Sequence, residues 1–342
     1  MDERGFVVAI VGAASELGRD LREVLVERGF PVSVWRLFDD EEAILALDED
    51  VDGGGVSPCA AIDLSEADFV FLCGAPEQTN RLLPEVEASS AIAIDLGQTL
   101  ALRDDVALVV PEVNADVVDL AIDEGMLATP LPAATALAVA LGPIERAVRL
   151  RRLTVTCLEP VSTTEGGVQE LARQTADLLG GREAEPTLWP VRIAFNLIPQ
   201  VGDIGGTGAT EREWQVQRQL RRVLDLPDLP IAVCVVRVPT FYGQGLVVTV
   251  ETEDALDTEA AQELFREAPG MYLHEGARQS DNYPTLSDAV GSEATHVGRV
   301  REDPTVPCGV SFWLTIDGLR KGTTVNAVQI AECAARELRK RA

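Results

Sequence analysis

Gly5-Phe6-Val7-Val8-Ala9-Ile10-Val11, followed at once by Gly12-Ala13-Ala14-Ser15-Glu16-Leu17-Gly18, is the stretch that decides how this chain begins to fold. The first part is an uninterrupted apolar run without charge, which suits a strand buried on both faces of a parallel sheet. The second part is a turn bounded by glycines. After it, Leu21, Val24, Leu25 and Val26 recur at helical spacing as far as Arg28-Gly29. Strand, glycine turn and helix together open a βαβ unit. Phe69 to Cys73 and Ala91 to Ile94 are further apolar runs, each ending in a small or polar residue, and they predict more parallel strands. Residues 1–128 therefore read as a Rossmann-like, doubly wound domain of the dinucleotide-binding type.

Beyond about Thr129 the pattern changes. Ala232 to Val236 and Leu246 to Val250 are β-rich, and polar helical stretches such as Thr210 to Leu224 link them. Residues 129–317 read as a mixed α/β substrate or dimerisation domain with helices on one side of its sheet. In the segment 318–342, Thr323 to Arg341 predicts a helix that returns to the first domain; its closing basic residues complement the C-terminal dipole. Asp39-Asp40-Glu41-Glu42 and Asp48 to Gly55 read as solvated loops.

A chain of 342 residues is long enough for two cores. No apolar stretch reaches the roughly 18 residues of a membrane span, and Met1 to Arg4 run into the first strand without a leader. The expectation is a cytoplasmic protein with no membrane partner. Six scattered cysteines and two histidines suggest neither a disulfide framework nor a metal site; most of the cysteines read as small buried hydrophobes. Asp and Glu number 56 against 29 Lys and Arg, a formal net charge of -27 that repels nucleic acid. Two explanations of that charge stay open: adaptation to high salt, or an ordinary acidic surface in a chain that uses Arg for Lys.

Glycines at positions 12 and 18 let a pyrophosphate approach backbone N–H groups at a helix N-terminus, so Gly12, Ala13, Ser15, Glu16, Leu17 and Gly18 are the candidate cofactor residues. Ser15 stands where a third glycine is usual, and on spacing alone a plain strand-to-helix turn is an equal reading. Where the second strand would deliver the ribose-reading group, the carboxylates from Asp39 to Glu42 repel a 2′-phosphate, and one of them can accept hydrogen bonds from a free ribose diol. NAD is favoured over NADP. The other reading of that run is an exposed loop.

Five further blocks carry a resemblance along nearly the whole chain: Leu108 to Asn114, Ile193 to Gln200, Arg237-Val238-Pro239, Val297 to Arg301, and Leu319 to Glu332. In this order they resemble the signature blocks of the aspartate-semialdehyde dehydrogenases. Phe241-Tyr242-Gly243 and Leu178-Leu179-Gly180-Gly181 are similar to the Usg-type branch of bacterial paralogues. The resemblance implies a homodimer formed through the second domain's sheet, and a reaction in which a cysteine thiolate attacks the aldehyde, hydride passes to nicotinamide, and the acyl group leaves to phosphate.

That chemistry implies an activated thiol, a base and a cationic grip. On the family pattern Pro132 takes the place of the cysteine, and the window Thr129 to Thr135 contains no cysteine; its later hydroxyl, Thr135, reads as a cap or core residue. The family histidine lies seven residues after the substrate arginine, where this chain has Gln244 after Arg237. Glutamine cannot take a proton near neutral pH. Glu159 replaces a glutamine, Ala101 the phosphate-gripping arginine with Arg103 two residues on, Gln215 a lysine, and Gly318 an asparagine. Arg237 and Glu213 are retained as substrate-binding candidates, against an inter-strand ion pair and a solvated helix charge respectively. His274 and His296 fall on no family catalytic position and read as structural or surface groups.

The resemblance thus implies a member of an oxidoreductase family without the thiol and base. Two functions follow from it: a dimeric binding or regulatory paralogue, or an NAD(P)-dependent oxidoreductase with altered chemistry on a small carboxylate. A dinucleotide or carboxylate sensor stands between them.

Overall fold

The apolar run after Gly5 forms β1 (Phe6–Val11), and the helix after the glycine turn is Glu16–Glu27. In this computed structural model, which describes residues 5–47, 55–275 and 283–341, the chain divides into two compact units. The first comprises Met1–Pro130 with Thr323–Ala342, and the second Leu131–Gly322.

The described strands of the first unit are β1, β2 (Val32–Asp39), β3 (Val56–Pro58), β4 (Phe69–Leu72), β5 (Ile92–Asp95), β6 (Ala107–Leu108) and β7 (Met126–Ala128). They form one parallel sheet in the order β3-β2-β1-β4-β5-β7-β6. Strands this apolar have to be covered on both faces. The helix Glu16–Glu27 contributes Leu21, Val24 and Leu25 to the core, and the final helix Asn326–Arg341 contributes Val328, Ile330, Ala331 and Ala334. Each such side chain, fully buried, contributes roughly 1.5–3 kcal/mol when it is Val, Leu or Ile. Arg28 and Glu332 fix the final helix at its rim through a 2.9 Å ion pair, and Asn326 Nδ2 donates to Val109 O at 2.8 Å.

In the second unit β8 (Leu150–Glu159), β9 (Ile231–Arg237), β10 (Gln244–Thr252), β11 (Met271–Leu273), β12 (Thr295–Glu302) and β13 (Gly309–Ile316) form a mixed sheet in the order β11-β12-β13-β10-β8-β9. Helix Pro132–Val148 is buried at every position from Ala133 to Ile144, as its almost uncharged sequence requires. It packs on β13, β10, β12 and β8. The Rossmann-like parallel sheet and the mixed second sheet are the architecture expected from the sequence. Among the described residues no helix is long and apolar enough to cross a membrane.

Two local expectations are corrected. The acidic run is not a loop throughout: Asp39 ends β2 and is buried, Asp40 precedes a short helix, and Glu41–Leu45 form it. Buried backbone donors need an acceptor, and Asp39 is the one at hand. The terminal helix begins with a π-helical turn, Arg320–Val325, before regular α-helix starts at Asn326. The second acidic stretch lies outside the described residues except for Gly55, as do Met1 to Arg4. Of the six cysteines, Cys59, Cys73, Cys157 and Cys333 are buried, Cys308 is half-buried and Cys234 is exposed.

Candidate functional site

In the first unit the chain runs from β1 to β2 on one side and later to β4 on the other, so the sheet order reverses between β1 and β4. Parallel sheets bind ligands at such a reversal, beyond the carboxyl ends of the strands. Gly12 leaves β1 with φ +80°, and a Cβ there would lie 2.5 Å from Gly74 N. A Cβ on Gly18 would lie 2.3 Å from Gly12 O, so only glycine lets the helix start this close to the strand. Ser15 does the work of a cap: its Oγ accepts from Gly18 N at 3.0 Å and donates to Gly12 O at 2.7 Å. Ala13 N is bound to Phe38 O, whereas the N–H groups of Glu16 and Leu17 have no acceptor among the described residues. The six candidate cofactor residues therefore form one turn, with two open donors at the positive end of a helix.

Asp39 closes the back of this turn. Its Oδ2 accepts from Ala14 N at 2.8 Å, and its Oδ1 accepts from Asp40 N at 2.8 Å and Gln78 Nε2 at 2.9 Å. On β5, Asp95 is fully buried and accepts from Gly97 N at 2.9 Å and Leu100 N at 2.6 Å. Burial pushes its pKa up to about 6 in spite of these donors. Ala101 is buried in this segment, and Arg103 is forked on Asp105 with Glu87 beside it. Arg103 is thus already held by two surface carboxylates.

In the second unit a row of polar residues crosses one end of the sheet. Glu159 at the end of β8 pairs in register with Arg237 at the end of β9. On the other side Gly245 pairs with Leu158, and the register continues to Gln244 beside Glu159. Arg237 is buried; its Nη2 donates to Glu159 Oε1 at 3.1 Å, and its Nη1 donates to Thr163 Oγ1 at 2.9 Å and Pro160 O at 3.2 Å. Thr163 Oγ1 also donates to Glu159 Oε1 at 2.8 Å. The guanidinium lies 5.3 Å from the Trp189 ring, and burial lowers its pKa against the pull of Glu159. Arg212 Nε stands 3.4 Å from Glu159 Oε2. Gln244 is 3 % exposed.

Pro132 is the first residue of the long buried helix, a position where a missing N–H costs nothing. Its ring packs on two glycines: a Cβ on Gly322 would lie 2.6 Å from Pro132 Cβ, and one on Gly318 3.5 Å. Thr135 is fully buried and donates to Gly322 O at 3.4 Å. Glu213 stands at the third position of helix Glu211–Leu224, where its Oε2 accepts from Thr210 N at 2.8 Å in a capping box and its Oε1 from Val235 N at 3.1 Å. That carboxylate anchors helix to strand. Gln215 donates to Glu211 Oε1 at 3.0 Å.

His274 and His296 meet toward the other edge of the same sheet, where His296 pairs with Thr315 and Thr315 with Gly245: Nε2 of His274 lies 3.0 Å from Nδ1 of His296, and Nε2 of His296 lies 2.8 Å from Ser292 Oγ. Burial lowers the pKa of both. The buried thiols Cys59, Cys73, Cys157 and Cys333 show the opposite of activation. Burial raises Cys59 to about 11 and pushes Cys73, Cys157 and Cys333 above the ordinary range. Arg212, Thr163 and Trp189 were not legible as site residues in the sequence, because only the pairing of β8 with β9 brings their segments together. The capping pattern from Thr210 to Glu213 was a usable signal for the structural role of Glu213.

A parallel dinucleotide-type sheet, a glycine turn at its reversal and a separate mixed sheet with a polar row define a two-domain dehydrogenase-like protein. Residues 7–121 match the family model of the semialdehyde dehydrogenase NAD binding domain, and residues 141–321 that of the semialdehyde dehydrogenase dimerisation domain. The chain belongs to the semialdehyde dehydrogenase family. It is 36 % identical to a USG-1 protein homolog of Azotobacter vinelandii, covering 95 % of this chain and 96 % of that one. It is 32 % identical to an aspartate-semialdehyde dehydrogenase of Legionella pneumophila, with 96 % of each covered. Among solved structures, aspartate semialdehyde dehydrogenase II of Vibrio cholerae complexed with ASA superposes with a TM-score of 0.92 at 33 % identity, over 98 % of this chain and 99 % of that one.

Proposed function

We propose that this chain is a dimeric, dinucleotide- and carboxylate-binding paralogue that does not perform phosphate-dependent oxidation of aspartate semialdehyde. The observation that supports the reading is that Pro132, which the resemblance sets at the thiol position, opens the long helix with its ring against Gly318 and Gly322. Covalent aldehyde oxidation needs a thiolate at such a helix end, and the buried thiols of this chain are shifted away from ionisation. Gln244 at the histidine position cannot serve as a base.

The nucleotide part rests on the turn at Gly12. Its two open N–H groups at a helix N-terminus suit a pyrophosphate, and the Gly12 and Gly18 approaches tolerate no side chain. A bound nicotinamide dinucleotide would supply hydride acceptance; the residues here would hold and orient it. Asp39, beside Ala14, favours a free ribose diol over a 2′-phosphate, and so NAD over NADP. Dimerisation is supported by the family of the second domain and by exposed Phe195, Leu197, Ile204 and Phe241 in that unit.

The test is an assay of purified protein with aspartate semialdehyde, phosphate and either NAD or NADP, alongside calorimetric titration of both nucleotides at low and at molar salt. The expected outcome is nucleotide binding with no turnover. Any steady production of reduced nucleotide would end the non-catalytic reading, and folded protein that takes up neither nucleotide would end the binding one.

A further inference from the structure

We propose that Arg212 is the guanidinium that receives the carboxylate of a small ligand at the end of the second sheet, with Glu159 as an internal counter-anion that withholds Arg237. The inference rests on the small-carboxylate reading above and names the residue that carries it.

Arg237 is 4 % exposed and spends its donors inside the protein, on Glu159, Thr163 and Pro160. A carboxylate already sits where an outside one would have to bind. Arg212 differs in each respect. Its side chain is a quarter exposed, and its one ionic partner, Glu159 Oε2, lies 3.4 Å from Nε without a hydrogen bond. The Nη fork has no acceptor among the described residues and is free to take a carboxylate side-on. Gln215, further along the same helix, carries no charge and is turned to Glu211.

The charges select the ligand. Within the Glu159 cluster two guanidiniums face one carboxylate, which leaves one guanidinium charge unmatched there. A monocarboxylate neutralises it, whereas a dianionic phosphate exceeds it within a chain of net charge -27. The amide of Gln244, buried next to Glu159 in the sheet register, offers a donor and an acceptor to a polar group on the same ligand. Glu159 thus acts as a specificity element. Held between Arg237 and Arg212, it lowers the site's pull on anions from two positive charges to one.

Butyrate is the probe, followed by saturation-transfer NMR on the full-length wild type and three variants. Wild type is expected to bind it weakly, Arg212→Gln about tenfold more weakly or not at all, and Arg212→Lys within about threefold of wild type, since the charge but not the fork is kept. Glu159→Gln is expected to bind about tenfold more tightly, because Arg237 is released. An Arg212→Gln variant that binds like wild type overturns the assignment, as does a wild type that does not bind. Glu159→Gln binding no tighter than wild type overturns the withholding role. The outcome is separable from the proposed function: turnover of aspartate semialdehyde leaves Arg212 untouched, and a silent Arg212→Gln result restores no turnover.

Discussion

The glycine turn of the first unit and the polar row of the second treat their hydrogen-bonding groups in opposite ways. Around Gly12 the protein satisfies the outer groups, through Ser15 and Asp39, and leaves the N–H groups of Glu16 and Leu17 open at a helix end. Across the end of β8 and β9 it does the reverse: the buried cation, Arg237, is closed by Glu159, Thr163 and Pro160. The contrast teaches that retaining a residue is not the same as retaining a site. Arg237 is present, yet its fork faces an internal partner; the turn carries Ser15 between its two glycines, yet it keeps its open donors.

The largest expected effect comes from breaking the closed row. Arg237→Ala strands Glu159 in the interior with only the longer contact to Arg212, and should cost about 3–5 kcal/mol in urea unfolding. The double variant Arg237→Ala with Glu159→Gln should recover a large part of it. Loss of under about 1 kcal/mol in the single variant would show that the row is solvated and the contrast unfounded.

The next effect belongs to the open turn. Gly12→Val forces a branched side chain into φ +80° and against Gly74, and should cost about 2–3 kcal/mol while weakening NAD binding at least tenfold. Unchanged calorimetric titration with this variant would remove the turn from the nucleotide site. A smaller effect is expected at Asp39: wild type should bind NAD about tenfold better than NADP, and Asp39→Asn should narrow that ratio severalfold. Equal affinities in the wild type would leave Asp39 as a scaffold residue only.

The smallest effect sets the two units against each other by pH. His274 and His296 have folded pKa values below the ordinary histidine value, so the unfolded chain takes up protons first as pH falls. Their contribution is present above about pH 6.5 and is lost as pH drops through the folded values. Asp95 has the opposite sign. Its folded pKa, about 6, lies above the unfolded one, so its contribution is lost as pH rises through 6 and is regained on acidification. Amide-exchange opening energies between pH 7 and pH 5 should therefore fall around β11 and β12 and rise around β5. Movement in one direction in both regions would contradict the assigned shifts.

Much of the fold was legible in the sequence because it rests on local signals. The uncharged run Phe6–Val11, the glycine spacing and the polar helical stretch Thr210 to Leu224 each report backbone preferences that need no distant partner. The stretch read as helical from Thr210 to Leu224 forms the helix Glu211–Leu224, with Thr210 as its N-cap. Less was legible where charge is concerned. Asp39 read as part of a solvated acidic run, since its neighbours are acidic and exposed; its burial follows from backbone donors at Ala14 and Asp40 and from the side chain of Gln78, 39 positions away. The first turn of the terminal helix gave no sign of its π geometry.

The sequence by itself determined the two-part α/β architecture and the turn at Gly12, because these depend on residue identity and spacing. Only the tertiary structure decided what the remaining polar residues do. Glu159, Arg212 and Arg237 lie up to 78 positions apart, and a charge acts through the distance to its nearest partner, which strand register sets.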